Sequence, residues 1–235
     1  ASEQKFIEGV PIIRDAFART IRLVTAARLR DSVLKALADT DEELAQLAEI
    51  EGATSARLLA QDHGSGAMGV EEFVYGVPQA ALINASFAYA KPRERNRFNG
   101  PDRGAWYAAL DVETCLAEVV FHMTEFLART GVYEGAVEYA ELFASLAGEE
   151  LDLRSVPYHP SLNPDPIIGY ATGNVLADTA LAQGINGIVY PSVRQKRGTC
   201  FAVLRPHAVQ SVAQGGVLLA IWFGNATPKI ERISQ

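Results

Sequence analysis

Apolar residues recur at roughly helical spacing along the first part of the chain, at Ile13, Phe17, Ile21, Val24, Leu29, Val33 and Leu37, and Pro11 suits a first helical turn. The pattern predicts a helix over residues 11–38. Thr40 followed by Glu43 has the form of a capping box, in which the hydroxyl accepts from an amide of the first turn while the glutamate reaches back. A second helix is therefore expected from Asp41, ending at Gly52, with a short third one over 53–61. Residues 1–70 read as a helical extension, of the kind that packs against or binds partners.

From about Phe73 the pattern changes. Gly76-Val77-Pro78 marks a turn before the segment 80–90, and residues 104–110 form a short aromatic strand. Asp111 can cap a helix running to about Arg129, with a buried stripe at Val112, Cys115, Leu116, Val119, Met123 and Leu127. Glu118 lies off that stripe. At about 100° per residue it points roughly 140° from the stripe's centre, toward water or a cleft, and helix geometry alone favours water. Further strands are expected over 133–143, 149–153, 188–190, 200–204 and 217–223, with a proline-rich loop over 156–166 and a helix over 169–183 ending near Gly184. Strands concentrate after residue 100 with short or irregular connections, which predicts an α+β sheet domain over 71–235 and argues against a doubly wound parallel sheet.

Composition narrows the classes without choosing among them. At 235 residues, with 49% apolar and 21% charged residues, the chain can bury one sizeable core and is not a disordered segment. A net charge of −7 argues against direct nucleic-acid binding, which usually needs a basic surplus. Two basic islands stand against the total, Arg93, Arg95, Arg97 and Arg103 in one and Arg194, Lys196 and Arg197 in the other. Charge alone makes them solvated loops or seats for a small anion. Cys115 and Cys200 are the two cysteines and form no C-x-x-C pair, so no disulfide framework is expected. No membrane-length apolar run or secretory signal pattern stands out, which makes a reducing cytoplasm the expected location.

Several chemistries lack their essential parts. Gly64-Ser65-Gly66-Ala67-Met68-Gly69 matches G-x-G-x-x-G, but helical residues precede it and no β-α-β unit follows, so it reads as a hinge. Glu118 and His122 stand four apart on one helix without further ligands at metal-binding spacing, and no metal is expected. G-x-S-x-G and P-loop signatures are missing, and Ser192 in Tyr190-Pro191-Ser192-Val193-Arg194 reads first as a turn serine. What stays is Arg97-Phe98-Asn99, then Tyr107, then Glu118. A fixed cation, an aromatic face and a carboxylate in one short stretch suggest a nucleotide-cleaving site.

These residues carry a family resemblance. Arg97-Phe98-Asn99, Gly104-Ala105-Trp106-Tyr107-Ala108-Ala109, Glu113-Thr114-Cys115-Leu116-Ala117-Glu118 and Gly187-Ile188-Val189-Tyr190-Pro191-Ser192-Val193-Arg194 together resemble the RES domain, named for its arginine, glutamate and serine. The likeness runs over about residues 75–225. It departs at Cys115, where alanine is common, and in the N-terminal extension, which the shortest members lack.

The resemblance implies an ADP-ribosyltransferase-like mixed or antiparallel sheet acting on NAD as substrate. It also implies a toxin of a bacterial toxin–antitoxin system, with an Xre-like antitoxin covering the active site and with water, phosphate or a protein as acceptor of ADP-ribose. By matching position, Arg97, Tyr107, Glu118 and Ser192 inherit the active-site roles, and Asn99 and Arg194 are neighbouring binding candidates. Glu118 would stabilise the oxocarbenium ion formed as nicotinamide leaves, and the planar fork of Arg97 would hold the diphosphate or adjacent ribose. Tyr107 would stack on nicotinamide, with Trp106 buried on the opposite strand face, and Ser192 would hydrogen-bond nicotinamide or its ribose. An NAD-binding module without turnover, or an interaction protein acting through residues 1–70, are the alternatives.

Overall fold

The computed structural model describes residues 7–26, 29, 68–88 and 95–233. Among them nine strands form one sheet: β1 (Ile12–Ile13), β2 (Phe17–Thr25), β3 (Trp106–Ala109), β4 (Glu134–Leu146), β5 (Glu150–Asp152), β6 (Gly187–Pro191), β7 (Thr199–Val203), β8 (Val209–Phe223) and β9 (Lys229–Ile233). Their order across the sheet is β1-β5-β6-β7-β3-β2-β4-β8-β9. Only β5 and β6 run parallel; the other neighbours are antiparallel. Three helices, α1 (Ala80–Ala88), α2 (Val112–Thr130) and α3 (Pro166–Ala182), complete the described α+β fold. None of the described helices is long and apolar enough to cross a membrane.

The helix expected over 11–38 is corrected by β1 and β2. Ile13, Phe17, Ile21 and Val24 are spaced so that a helical stripe can be drawn through them, but the run Thr20-Ile21-Arg22-Leu23-Val24-Thr25 is rich in β-branched residues that sit well on a pleated surface. Neighbours far away in sequence decide the outcome. β2 pairs with β4 through Thr20–Ala144 to Thr25–Tyr139, and the Thr20 hydroxyl donates to the Ala144 carbonyl at 2.9 Å in the core. The expected boundary near residue 70 therefore does not separate these strands from the sheet. Apart from Ala26 and Leu29, the rest of that helix, the two helices expected after it and the hinge residues 64–67 lie outside the described residues.

Elsewhere the boundaries move more than the elements do. α2 begins after Asp111, whose carboxylate accepts from the Thr114 amide at 2.7 Å, and closes at Gly131 in the left-handed region at φ 70°. α3 starts at Pro166, earlier than expected, because proline fits a first turn and Asp165 caps the Ile167 amide. The loop over 156–166 contains a short 3-10 turn at Pro160–Leu162. β8 begins at Val209, well before residue 217, through a polar half that pairs with β4 across register shifts. β9 lacks an apolar stripe, and an ion pair helps hold it: Arg232 meets the buried Glu141 carboxylate at 2.8 and 3.0 Å.

Strand alternation gives the sheet two covered faces. One buries Ile21, Leu23, Leu151, Ile188, Ala202, Leu218 and Trp222 against α2 and α3 residues such as Cys115, Leu127, Leu176 and Ala180. The other buries Trp106, Leu142, Val189, Phe201 and Val203 against Ile83 and Phe87 of α1. β3 pairs along its length with β7 but meets β2 at Ile21–Ala109, and Arg22 Nη1 donates to the Tyr107 carbonyl at 3.2 Å beside that junction. A cleft opens there.

Candidate active site

The cleft has a volume of about 190 Å³, and its lining comes from seven parts of the fold. β2 contributes Arg22 and Leu23, the loop before β3 contributes Asn96 and Arg97, β3 contributes Tyr107, α2 contributes Cys115, Glu118 and His122, and α3 contributes Tyr170. Tyr190 and Cys200 of β6 and β7 close it. Arg97, Tyr107 and Glu118, close in sequence, thus meet in space.

Glu118 is half-buried, turned into the cleft by its contact with another element. Its Oε1 accepts a hydrogen bond from Ser192 Oγ at 2.8 Å, across a sequence separation of 74 residues. Ser192 is itself fixed as a turn serine. Its Oγ accepts from the amides of Arg194 at 3.1 Å and Gln195 at 3.0 Å, and its own amide donates to the Gly198 carbonyl at 2.8 Å. The hydroxyl proton is thereby directed at the carboxylate. Cys200 Sγ stands 3.9 Å from the same oxygen. Expectation from helix geometry, which favoured water for Glu118, could not include this turn-to-helix contact.

Arg97 is buried, 7% exposed, and Nη1 donates to the Ser161 and Asn163 carbonyls at 2.6 and 2.9 Å. Its guanidinium carbon lies 5.3 Å from the Tyr170 ring centroid. Carbonyl dipoles partly compensate the charge, and no ion pair among the described residues includes Arg97. A buried cation placed so favours an anionic ligand in the cleft.

Tyr107 ties the arginine loop to the sheet. Its hydroxyl accepts from the Phe98 amide at 3.0 Å and donates to Asn99 Oδ1 at 2.8 Å. Burial pushes this phenol well above its ordinary range, so it stays a neutral donor. Trp106 is fully buried on the other sheet face, and its ring centroid lies 4.8 Å from the guanidinium carbon of Arg22 at the junction of β2 and β3. Asn99 is buried, and Nδ2 donates to the carbonyls of Gly100 and Arg103, both at 3.0 Å. Its side chain binds the loop through Nδ2 and Tyr107 of β3 through Oδ1, and it is not part of the cleft lining.

Arg194 does not line the cleft either; it braces its rim, with Nη2 donating to the Pro164 carbonyl at 3.1 Å and its guanidinium carbon 3.6 Å from the Phe121 centroid. Neither basic island is a uniform solvated patch. Arg103 pairs with Glu72 at 2.7 Å and Arg97 is buried, while Arg95, Lys196 and Arg197 are exposed. Burial raises the Cys115 thiol to about 12 and the Cys200 thiol higher still, so both stay protonated and the cleft holds no thiolate nucleophile.

Arg22, Tyr170 and Tyr190 line the cleft without having been singled out for it from sequence. For Arg22 the usable signal is the β-branched run around it. Tyr190 stands in the Gly187–Arg194 motif, two residues before Ser192, which is its usable signal; Tyr170 gave none, because α3 meets the cleft only through tertiary packing.

Comparison with known proteins adds to this geometry. No curated protein matches the sequence significantly. Among solved structures, the crystal structure of the M. tuberculosis MbcT–MbcA toxin–antitoxin complex contains a chain similar to this one over 91% of each, at 14% identity and a TM-score of 0.48. The family model described as the RES domain matches residues 73–223, well over half of the chain and the span containing Arg97, Tyr107, Glu118 and Ser192. The chain belongs to the RES-domain family.

Proposed function

We propose that the protein is an NAD-consuming enzyme that breaks the nicotinamide–ribose bond, acting in the cytoplasm as the toxin of a toxin–antitoxin pair. The observation that carries this reading is the Ser192–Glu118 hydrogen bond, 2.8 Å long, on a cleft that Arg97 and Tyr107 also line. Breaking that bond expels neutral nicotinamide from a pyridinium and leaves positive charge on the ribose. No proton donor is needed, and charge placement is the main catalytic task. Glu118, oriented by Ser192, stabilises the oxocarbenium ion. Arg97 draws the diphosphate in, and the Tyr107 ring offers the nicotinamide a flat face. The ADP-ribosyl group passes to water, phosphate or a protein side chain. Toxin action and an Xre-like antitoxin over the cleft follow from family resemblance, and a small helical DNA-binding protein encoded beside this one would support them.

The test is incubation of purified protein with adenine-labelled NAD, following nicotinamide release and protein labelling together. Release without labelling assigns a small acceptor, and release with labelling assigns a protein acceptor. Glu118→Gln keeps the size of the side chain and removes its charge, so turnover should fall roughly a hundredfold or more while NAD affinity changes little. Full turnover in that variant removes Glu118 from the mechanism.

A further inference from the structure

One face of α3 is built around Arg97. Gly169, Tyr170, Gly173 and Asn174 fall at positions i, i+1, i+4 and i+5, which share a side of a helix. A Cβ at Gly173 would collide with the Arg97 carbonyl oxygen. One at Gly169 would stand 2.7 Å from Arg97 Nη1 and collide with the Asn163 carbonyl that this nitrogen binds. The helix can therefore approach the arginine only with glycine at both places. Tyr170 lies beside the guanidinium, and Asn174 Nδ2 donates to the Asn96 carbonyl at 2.7 Å and contacts the Arg97 carbonyl at 3.3 Å. The same amide group reaches the Tyr170 carbonyl of its own helix at 2.8 Å, which fixes its rotamer.

We infer that this face of α3 is the seat that sets where the Arg97 guanidinium stands in the cleft, with Asn174 as its positioning residue. The inference rests on the reading of Arg97 as the group that grips the substrate's diphosphate. A misplaced guanidinium weakens that grip at a distance from the bond that breaks, so the seat acts on substrate affinity more than on the chemical step. Gly173→Ala tests the glycine contact but endangers folding. Asn174→Asp is nearly isosteric, removes the donor and turns a carboxylate toward the Asn96, Arg97 and Tyr170 carbonyls.

The experiment is a double-mutant cycle of Asn174→Asp and Arg97→Ala, read as KM and kcat for NAD, with thermal unfolding recorded for each variant. Asn174→Asp is expected to raise KM about tenfold with kcat within about threefold of wild type. The double variant should be no worse than Arg97→Ala alone, because both changes act through one guanidinium. Multiplying KM effects, or a fall in kcat at unchanged KM, overturns the seat. A second readout needs no turnover: the guanidinium N–H signals of Arg97 in nitrogen-15-labelled protein should be resolved in wild type and broadened or lost in folded Asn174→Asp. Unchanged signals overturn the seat even if NAD is consumed. Wild-type protein that leaves NAD intact overturns the functional reading alone.

Discussion

At the scale of single residues, the phenol of Tyr107 links the aromatic wall of the cleft to the loop that carries the cation. Stacking needs only the ring, which would make Tyr107→Phe nearly silent. The hydroxyl, however, holds the Phe98 amide and Asn99 Oδ1, both on a buried loop, and phenylalanine leaves each without that partner. Losing one member of a buried hydrogen-bonded set typically costs about 1–3 kcal/mol. Tyr107→Phe should therefore lower stability by about that amount in urea unfolding and raise KM for NAD, because Arg97 sits on the same loop. A variant with wild-type stability and wild-type KM would show that the hydroxyl does not hold the loop. Glu118 carries a related lesson. Its helix position set its direction only to within a half-turn of the surface, and Ser192 of a distant turn turned it inward.

Among the elements, α2 was legible and β2 was not, for reasons that lie in where each finds its partners. The caps of α2 are its own neighbours, Asp111 and Gly131, and its stripe from Val112 to Leu127 follows one period without a rival. β2 offers apolar residues at spacings that two periods can claim, and its main-chain partners come from β3 and β4, far along the chain. The candidate site divides in the same way. Arg97, Tyr107, Glu118 and Ser192 belong to recognisable local motifs, whereas Arg22 and Tyr170 arrive on elements that only tertiary packing brings to the cleft. Local capping makes α2 testable by itself. Asp111→Ala should cost about 1 kcal/mol in thermal or urea unfolding, and Asp111→Asn should restore most of it, since an asparagine oxygen can still accept from the Thr114 amide. Turnover should change by less than about threefold, because Ser192 holds Glu118 from outside the helix. Equal stability of the alanine and asparagine variants would deny the cap its role.

For the whole molecule, the sheet's weak point under changing pH is its parallel corner. Glu150 of β5 pairs with Ile13 on one side and Gly187 on the other and is 2% exposed, with Oε2 lacking a hydrogen-bond partner. Burial and then the nearby Asp15 push its carboxyl from the ordinary 4.5 up to about 7; Asp152 adds to the rise and Arg154 opposes it. The folded state thus holds a proton that the unfolded chain releases at lower pH. Its contribution is complete below about 4.5, fades as pH rises through about 7, and is gone above that. A difference of this size corresponds to a change on the order of 3 kcal/mol. Other carboxylates pull the opposite way in acid: Arg232 beside Glu141 and Arg154 beside Asp152 hold those groups below their usual range. The clean readout is therefore the difference between wild type and Glu150→Gln, whose amide cannot ionise. The variant should gain on the wild type as pH rises from 5 to 8 in urea unfolding, with the gap opening mainly between pH 5 and 7. A constant gap across that window would mean that Glu150 keeps one charge state throughout, and the corner would then owe its stability to packing alone.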